Sequence, residues 1–206
     1  MASAQNSLKF GINAGPTVSD IRGDGYAAGF RYGFGYLFGV SMEMPLTQRL
    51  SFTTSVNYEA KSAARKTSFS YSGIYAGPDG VGVEYTVSGN PKITTTINYI
   101  AVPANLKYYL DYRDNYYATA GAFVAFAIDE GYTIKGEKPP KDYNHNYETL
   151  DYGINLGLGT KFKLNRNHEL NIELRDNLGL ANVTDVDSDK ISTNSINLIL
   201  NWQFSL

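Results

Sequence analysis

Few residues in this chain could do covalent or metal chemistry. Cysteine is missing from the 206 residues, and His145 and His168 are the two histidines, so thiolate nucleophiles, disulfides and histidine-rich metal sites are excluded. His145 has Asp142 and Glu148 close by in sequence, a set that could cleave a lipid or peptide as a general base with carboxylate help. No base-plus-nucleophile pattern accompanies it, and a lone loop histidine reads as solvated. Asp185-x-Asp187-x-Asp189 resembles the opening of a calcium loop. Lys190 stands where such a loop needs glycine and Ile196 where it needs glutamate, so Asp185, Asp187 and Asp189 make a weak cation candidate inside an acidic loop. Gly33-x-Gly35 and Gly157-x-Gly159 are not followed by helices, so they cradle no nucleotide and serve a strand wall. No cofactor is expected.

Composition narrows the class. Eighteen Lys+Arg against twenty Asp+Glu leave a net charge of -2, which provides no basic track for nucleic acid. Seventeen Tyr, ten Phe and twenty Gly, with charged residues held to 18%, describe a turn-rich β protein. No apolar run approaches the roughly 18 residues of a membrane helix, yet strands that cross a bilayer spread their apolar residues over every second position.

That period of two runs through the chain. Ile196, Leu198, Leu200, Trp202 and Phe204 alternate with Ser195, Asn197, Asn201 and Gln203, Ile199 being the exception. Leu170, Ile172 and Leu174 alternate with Glu169, Asn171, Glu173 and Arg175; Ile154, Leu156, Leu158 and Phe162 with Asn155, Lys161 and Lys163; Ile100, Val102 and Leu106 with Asn105 and Lys107. A helix does not sustain strict alternation over such lengths. Eight segments result, near 8–18, 33–44, 50–61, 93–110, 116–130, 150–164, 169–180 and 191–206. Their connections alternate short and long, and an even number of antiparallel strands with turns at one end and loops at the other predicts an all-β, eight-stranded antiparallel up-and-down transmembrane β-barrel. Ala2-x-Ala4 ends like a secretory signal, so residues 1–7 read as a signal-peptide remnant or flexible N-terminus and 8–206 as the barrel domain. Inside the long connection 62–92, Phe69, Tyr71, Tyr75 and Tyr85 flank Pro78-Asp79-Gly80, a turn sequence, and predict a hairpin projecting past the membrane.

The apolar face carries almost no charge and places aromatics near strand ends, which assigns Ile100, Val102, Leu106, Ile154, Leu156, Leu158, Ile172, Leu198, Leu200 and Trp202 to lipid. The opposite face then fills the lumen of a barrel too narrow for a pore. Glu43, Glu59, Lys107, Lys161, Lys163, Glu169, Glu173 and Arg175, with Asp129 higher up, are expected to form an internal ion-pair and amide network centred on Arg175. Asp176 falls on the apolar face, which predicts either a β-bulge, the favoured reading, or a stretch of wall that meets another protein.

Tyr99-Ile100-Ala101-Val102-Pro103, Lys107-Tyr108-Tyr109, Asp151-Tyr152-Gly153 leading to Gly157-Leu158-Gly159, Arg175 with Gly179-Leu180, and the ending Asn197 to Phe204 together resemble the small outer-membrane β-barrel proteins of Bacteroidetes, the PorT-like group. The resemblance implies residence in the outer membrane of a Gram-negative cell envelope and a signal peptide ending before a residue such as Gln5. It brings no catalytic residue. The expected function is a non-enzymatic anchor, scaffold or accessory subunit of an envelope complex, embedded in outer-membrane lipid, whose partner meets the aromatic hairpin or the wall near Asp176. Two alternatives stand beside it: a soluble lipocalin-like barrel with a hydrophobic ligand inside, and an outer-membrane enzyme with its site around His145.

Overall fold

The computed structural model describes residues 8–23, 29–66, 68–76, 82–134, 149–183 and 191–205. Ten strands are present among the described residues: β1 (Lys9–Gly23), β2 (Arg31–Pro45), β3 (Leu50–Lys66), β4 (Phe69–Ala76), β5 (Gly82–Gly89), β6 (Lys92–Tyr109), β7 (Tyr116–Ile134), β8 (Leu150–Lys163), β9 (His168–Gly179) and β10 (Ile191–Ser205). Eight of them close into a barrel in the order β1-β10-β9-β8-β7-β6-β3-β2, while β4 and β5 pair only with each other as a two-stranded sheet. Every pairing in the ring is antiparallel, and closure by β1 against β10 removes both open edges. The projecting hairpin is therefore a separate sheet, Phe69 opposite Gly89 and Ala76 opposite Gly82.

Short turns close one end, each locked by a side chain that replaces a backbone acceptor. Thr47 Oγ1 accepts from Leu50 N at 3.0 Å. Asp111 Oδ1 accepts from the backbone N–H groups of Asn115 at 2.7 Å and Tyr116 at 3.0 Å. Asn165 Oδ1 accepts from Asn167 N and His168 N, both at 2.9 Å. Asx turns of this kind need no extra residue, which is why connections of a few residues suffice here. His168 begins β9 and lies beside Trp202, ring centroids 5.6 Å apart and tilted by 34°.

The two faces of the wall separate cleanly. Leu156, Leu158, Leu198, Leu200 and Trp202 are exposed on the outside, and Ile100, Val102 and Ile172 are half-buried there. A soluble barrel with its apolar face inward is thereby overturned: the wall's leucines point away from the lumen. Aromatic rings collect near the ends of the outward face. Phe10 and Phe204 lie 6.4 Å apart at the turn end, and Tyr36, Phe38 and Tyr58 stack toward the loops with centroids 5.0 to 6.3 Å apart. Such belts mark the two headgroup levels of a bilayer.

Three expectations are corrected. Asp176 lies in unbroken register, opposite Ile196 on one side and Leu156 on the other, so no bulge turns it inward and its side chain is exposed on the outer wall. A bulge does occur in β7, where Asn98 pairs with Asp129 but Tyr99 pairs with Ala127. The extra residue shifts the phase by one. Asp129 consequently leaves the lumen face and accepts from Asn98 Nδ2 at 3.2 Å on the exposed side. Lys163 is the last residue of β8 and is exposed at the turn-end mouth, outside the internal network. Ile199 keeps the phase of its strand and is buried inside.

Candidate functional site

The lumen is a stack of polar layers built mainly from the odd-numbered positions of the strands. Nearest the turn end, Lys9 pairs with Glu169 at 2.6 Å, both partly open to solvent. Above it, Glu43 accepts from Lys107 Nζ at 2.8 Å, Tyr109 Oη at 2.8 Å and Gln203 Nε2 at 3.2 Å. Lys107 also reaches Asn171 Oδ1 at 3.2 Å. Next, Glu173 Oε1 accepts from Arg175 Nε at 2.7 Å and Thr119 Oγ1 at 2.9 Å. This carboxylate is the arginine's neighbour on its own strand, so the pair predicted around Arg175 is an i, i+2 pair on one face.

A chain of amides follows: Asn201 donates to Asn13 at 2.6 Å and Asn13 to Asn57 at 2.9 Å. Glu59 accepts from Ser195 at 2.8 Å and Asn197 at 3.1 Å. Toward the loops, Lys61 Nζ donates to Asp151 Oδ2 and Thr193 Oγ1, each at 3.0 Å, and Thr193 Oγ1 donates to Asp151 Oδ2 at 2.6 Å.

The buried charged residues among those described are Lys61, Lys107, Lys161 and Arg175 against Glu43, Glu59, Asp151 and Glu173, so the interior sums to zero. Neutrality of this kind is what a low-dielectric interior requires, because an unpaired buried charge costs several kcal/mol. Two charges have no ion partner within 4.0 Å among the described residues: Glu59, held by neutral donors, and Lys161, whose Nζ lies 4.3 Å from the centre of the Tyr109 ring.

Glycine makes this packing possible at one place in particular. A side chain at Gly159 would meet the Tyr117 ring, so the strand gives up its own side chain to let that tyrosine lie across the lumen. Glu173, Lys107, Tyr117, Asn105, Asn171 and Arg175 border a residual cavity of about 40 Å³. That is room for a few water molecules.

Two features of the interior had escaped the sequence. Lys61, Asp151, Tyr109 and Tyr117 join the network although they stand at or near strand ends. An apolar layer also sits inside, with Ile97, Tyr99 and Ala101 of β6 against Phe123 and Ala125 of β7. Its signal was legible in Tyr99-Ile100-Ala101-Val102-Pro103, where alternation lapses because both faces are apolar. Lys61 Nζ bridges the two chemistries, 4.9 Å from the Tyr99 ring centre and 5.1 Å from that of Phe123. At the loop end Ile21, Phe30, Ala63, Ala181, Val183 and Ile191 form a buried apolar cluster.

Of the remaining candidates, the backbones of Phe69, Tyr71, Tyr75 and Tyr85 lie in the β4–β5 sheet, and their side chains are outside the described residues. His145, Asp142 and Glu148, the acidic run Asp185, Asp187 and Asp189, and residues 1–7 are also outside them. On the outer wall, Asp176 is surrounded by Leu156, Leu174, Leu178 and Ile196, and the amide of Asn194 can turn to donate to its Oδ1 at 3.2 Å.

Comparison with known proteins places this architecture in a family. Residues 3–185 match the family described as outer membrane protein beta-barrel domain. No curated protein matches the sequence. Similar solved structures include OprG of Pseudomonas aeruginosa, at 14% identity and a TM-score of 0.48 with 98% of each chain covered. Ail of Yersinia pestis is 12% identical with a TM-score of 0.41, covering 96% of this chain and 99% of that one. Outer membrane protein W of E. coli is 11% identical with a TM-score of 0.42, covering 98% of this chain and 100% of that one. With an outward apolar wall, a polar lumen and a family match over most of its length, the chain belongs to the outer membrane protein beta-barrel domain family and resides in the outer membrane of a Gram-negative bacterium.

Proposed function

We propose that this protein is a non-conducting, non-enzymatic anchor or accessory subunit of a cell-envelope complex, of the kind found among the PorT-like barrels of Bacteroidetes. One observation carries the reading: the described lumen-facing side chains form a charge-neutral hydrogen-bonded network, with an apolar cluster toward the loop end, which favours a packed interior over an aqueous channel. A barrel that conducts nothing acts through its surfaces. The outer wall offers Asp176, a carboxylate set among leucine and isoleucine side chains of β8, β9 and β10. The Asn194 amide can reach it, but its charge on an apolar wall is compensated only by a cationic donor, which a partner at the same depth would bring. The β4–β5 hairpin, whose sequence carries Phe69, Tyr71, Tyr75 and Tyr85, is a second candidate contact region on its aromatic composition.

The reading is tested in two steps. Purified protein in planar bilayers should give no discrete conductance, and steady channel currents would overturn it. In native membranes, gentle detergent extraction should yield a complex larger than the lone barrel. Asp176→Leu should release its partner while the barrel itself stays folded; a lone barrel from the unaltered protein counts against the accessory role.

A further inference from the structure

We infer that the turn-end mouth of the lumen is a binding site for a small oxyanion, a phosphate or carboxylate group, centred on Lys161. This residue is 4% exposed. Among the described residues no carboxylate lies within 4.0 Å of its Nζ and no hydrogen-bond acceptor meets it; its contact is the Tyr109 ring at 4.3 Å. An ammonium held in the wall with an aromatic ring where a carboxylate would be expected is a charge prepared for an external anion.

The surroundings fit. The charges acting most strongly on Lys161 are those of Glu169, Lys9, Lys107 and Asp114. Glu169 is engaged by Lys9 at 2.6 Å, and Lys107 is engaged by Glu43 at 2.8 Å. Asp114 stands in the turn after β6. Lys163 follows two positions along β8 on the same face, exposed at the mouth. Lys9, Lys107, Lys161 and Lys163 thus face Glu43, Glu169 and Asp114, which leaves the mouth with an excess of one positive charge. The interior is balanced overall only because Glu59 carries the matching negative charge. Glu59 is held by Ser195 and Asn197, at the level of Gly157 four positions along β8 from Lys161, and forms no ion pair with it. The Tyr109 ring forms a platform between the two lysines, 5.1 Å from Lys107 Nζ and 4.3 Å from Lys161 Nζ. An anion entering from the periplasmic side would meet Lys163 first and come to rest on the side of the Lys161 ammonium away from Tyr109, whose negative ring face holds the lysine in place.

The test is titration of inorganic phosphate into the folded barrel in a neutral maltoside detergent, followed by calorimetry and by phosphorus NMR line broadening. Saturable binding in the millimolar range is expected for one dominant ammonium assisted by a second. Lys161→Met should weaken it by at least ~10-fold, equivalent to about 1.4 kcal/mol, while Lys161→Arg retains it. Lys163→Met should weaken it by a smaller factor. Migration on an unheated gel verifies that each variant is folded, and the arginine variant keeps the comparison meaningful if the methionine one fails to fold. A second arm adds phosphatidylglycerol to nanodiscs of phosphatidylcholine: competition with phosphate identifies a lipid headgroup as the natural source, and undisturbed phosphate binding identifies a soluble anion. Non-saturating heats with the unaltered protein, or equal binding by Lys161→Met, would falsify the site.

Discussion

Individual charges in this protein are settled by what they touch. Glu43 is enclosed by three donors, and removing the strongest leaves a buried carboxylate uncompensated. Lys107→Met is therefore expected to destabilise the barrel by about 3–5 kcal/mol, read as a lower urea midpoint for the loss of the compact band. Replacing Lys107 and Glu43 together by Met and Leu should recover much of that loss, because the cost lies in the orphaned charge. Asp111, in the periplasmic turn outside the bilayer, behaves differently. Hydrogen bonds from the backbone N–H of Tyr116 first, and also of Asn115 and Arg113, hold its carboxyl below the ordinary value of 3.8. A depressed folded value means the carboxylate's contribution is present above the unfolded titration and is lost as pH falls through the folded value. Amide exchange at Asn115 and Tyr116 should thus stay slow relative to Asp111→Ala at neutral pH, and the difference should vanish only in acid below 3.8. A difference that survives complete protonation would contradict this account.

Strands and turns set where those residues stand. β8 shows the principle most plainly: Ile154, Leu156 and Leu158 face out while Asn155, Gly157 and Gly159 face in, and the two glycines make space for Glu173, Thr119 and Tyr117. Gly159→Ala is expected to push the Tyr117 ring from its place and lower the unfolding midpoint, whereas Ala120→Gly on the lipid face should not affect Tyr117. Val40→Arg, on the outer face of β2 away from Asp176, places a cation on the same wall and should cost roughly 2–4 kcal/mol in vesicle refolding. Asp176→Leu in β9 should act in the opposite sense and stabilise the isolated barrel, by less than the Arg penalty, since carboxylates cost less than Arg or Lys at that depth. A variant that is more stable alone yet loses its partner would locate the reason this carboxylate is retained. Most of the element pattern was legible beforehand, because a period of two reports directly on which side of a wall a residue takes. Bulges were not: the extra residue of β7 reverses Asp129, and the regularity of β9 leaves Asp176 outside, two outcomes that identical local chemistry does not distinguish.

At the scale of the whole molecule, closure converts eight marginal strands into one cooperative unit. β1 pairs with β10 across almost the entire chain, Lys9 opposite Ser205, so truncating β10 should abolish folding rather than shorten the barrel. The unheated protein should migrate as a compact band that shifts on boiling, and cleavage within the β4–β5 hairpin should leave that band intact because the hairpin pairs only with itself. The sequence by itself determined the strand count, the turn and loop ends and the sidedness of the wall, since each is a property of local spacing and turn chemistry. Tertiary structure alone decided which charges meet: Lys61 finds Asp151, Lys107 finds Glu43 and Lys161 finds only an aromatic ring. Those pairings depend on the stagger at which the sheet closes, a long-range quantity that no stretch of neighbouring residues encodes.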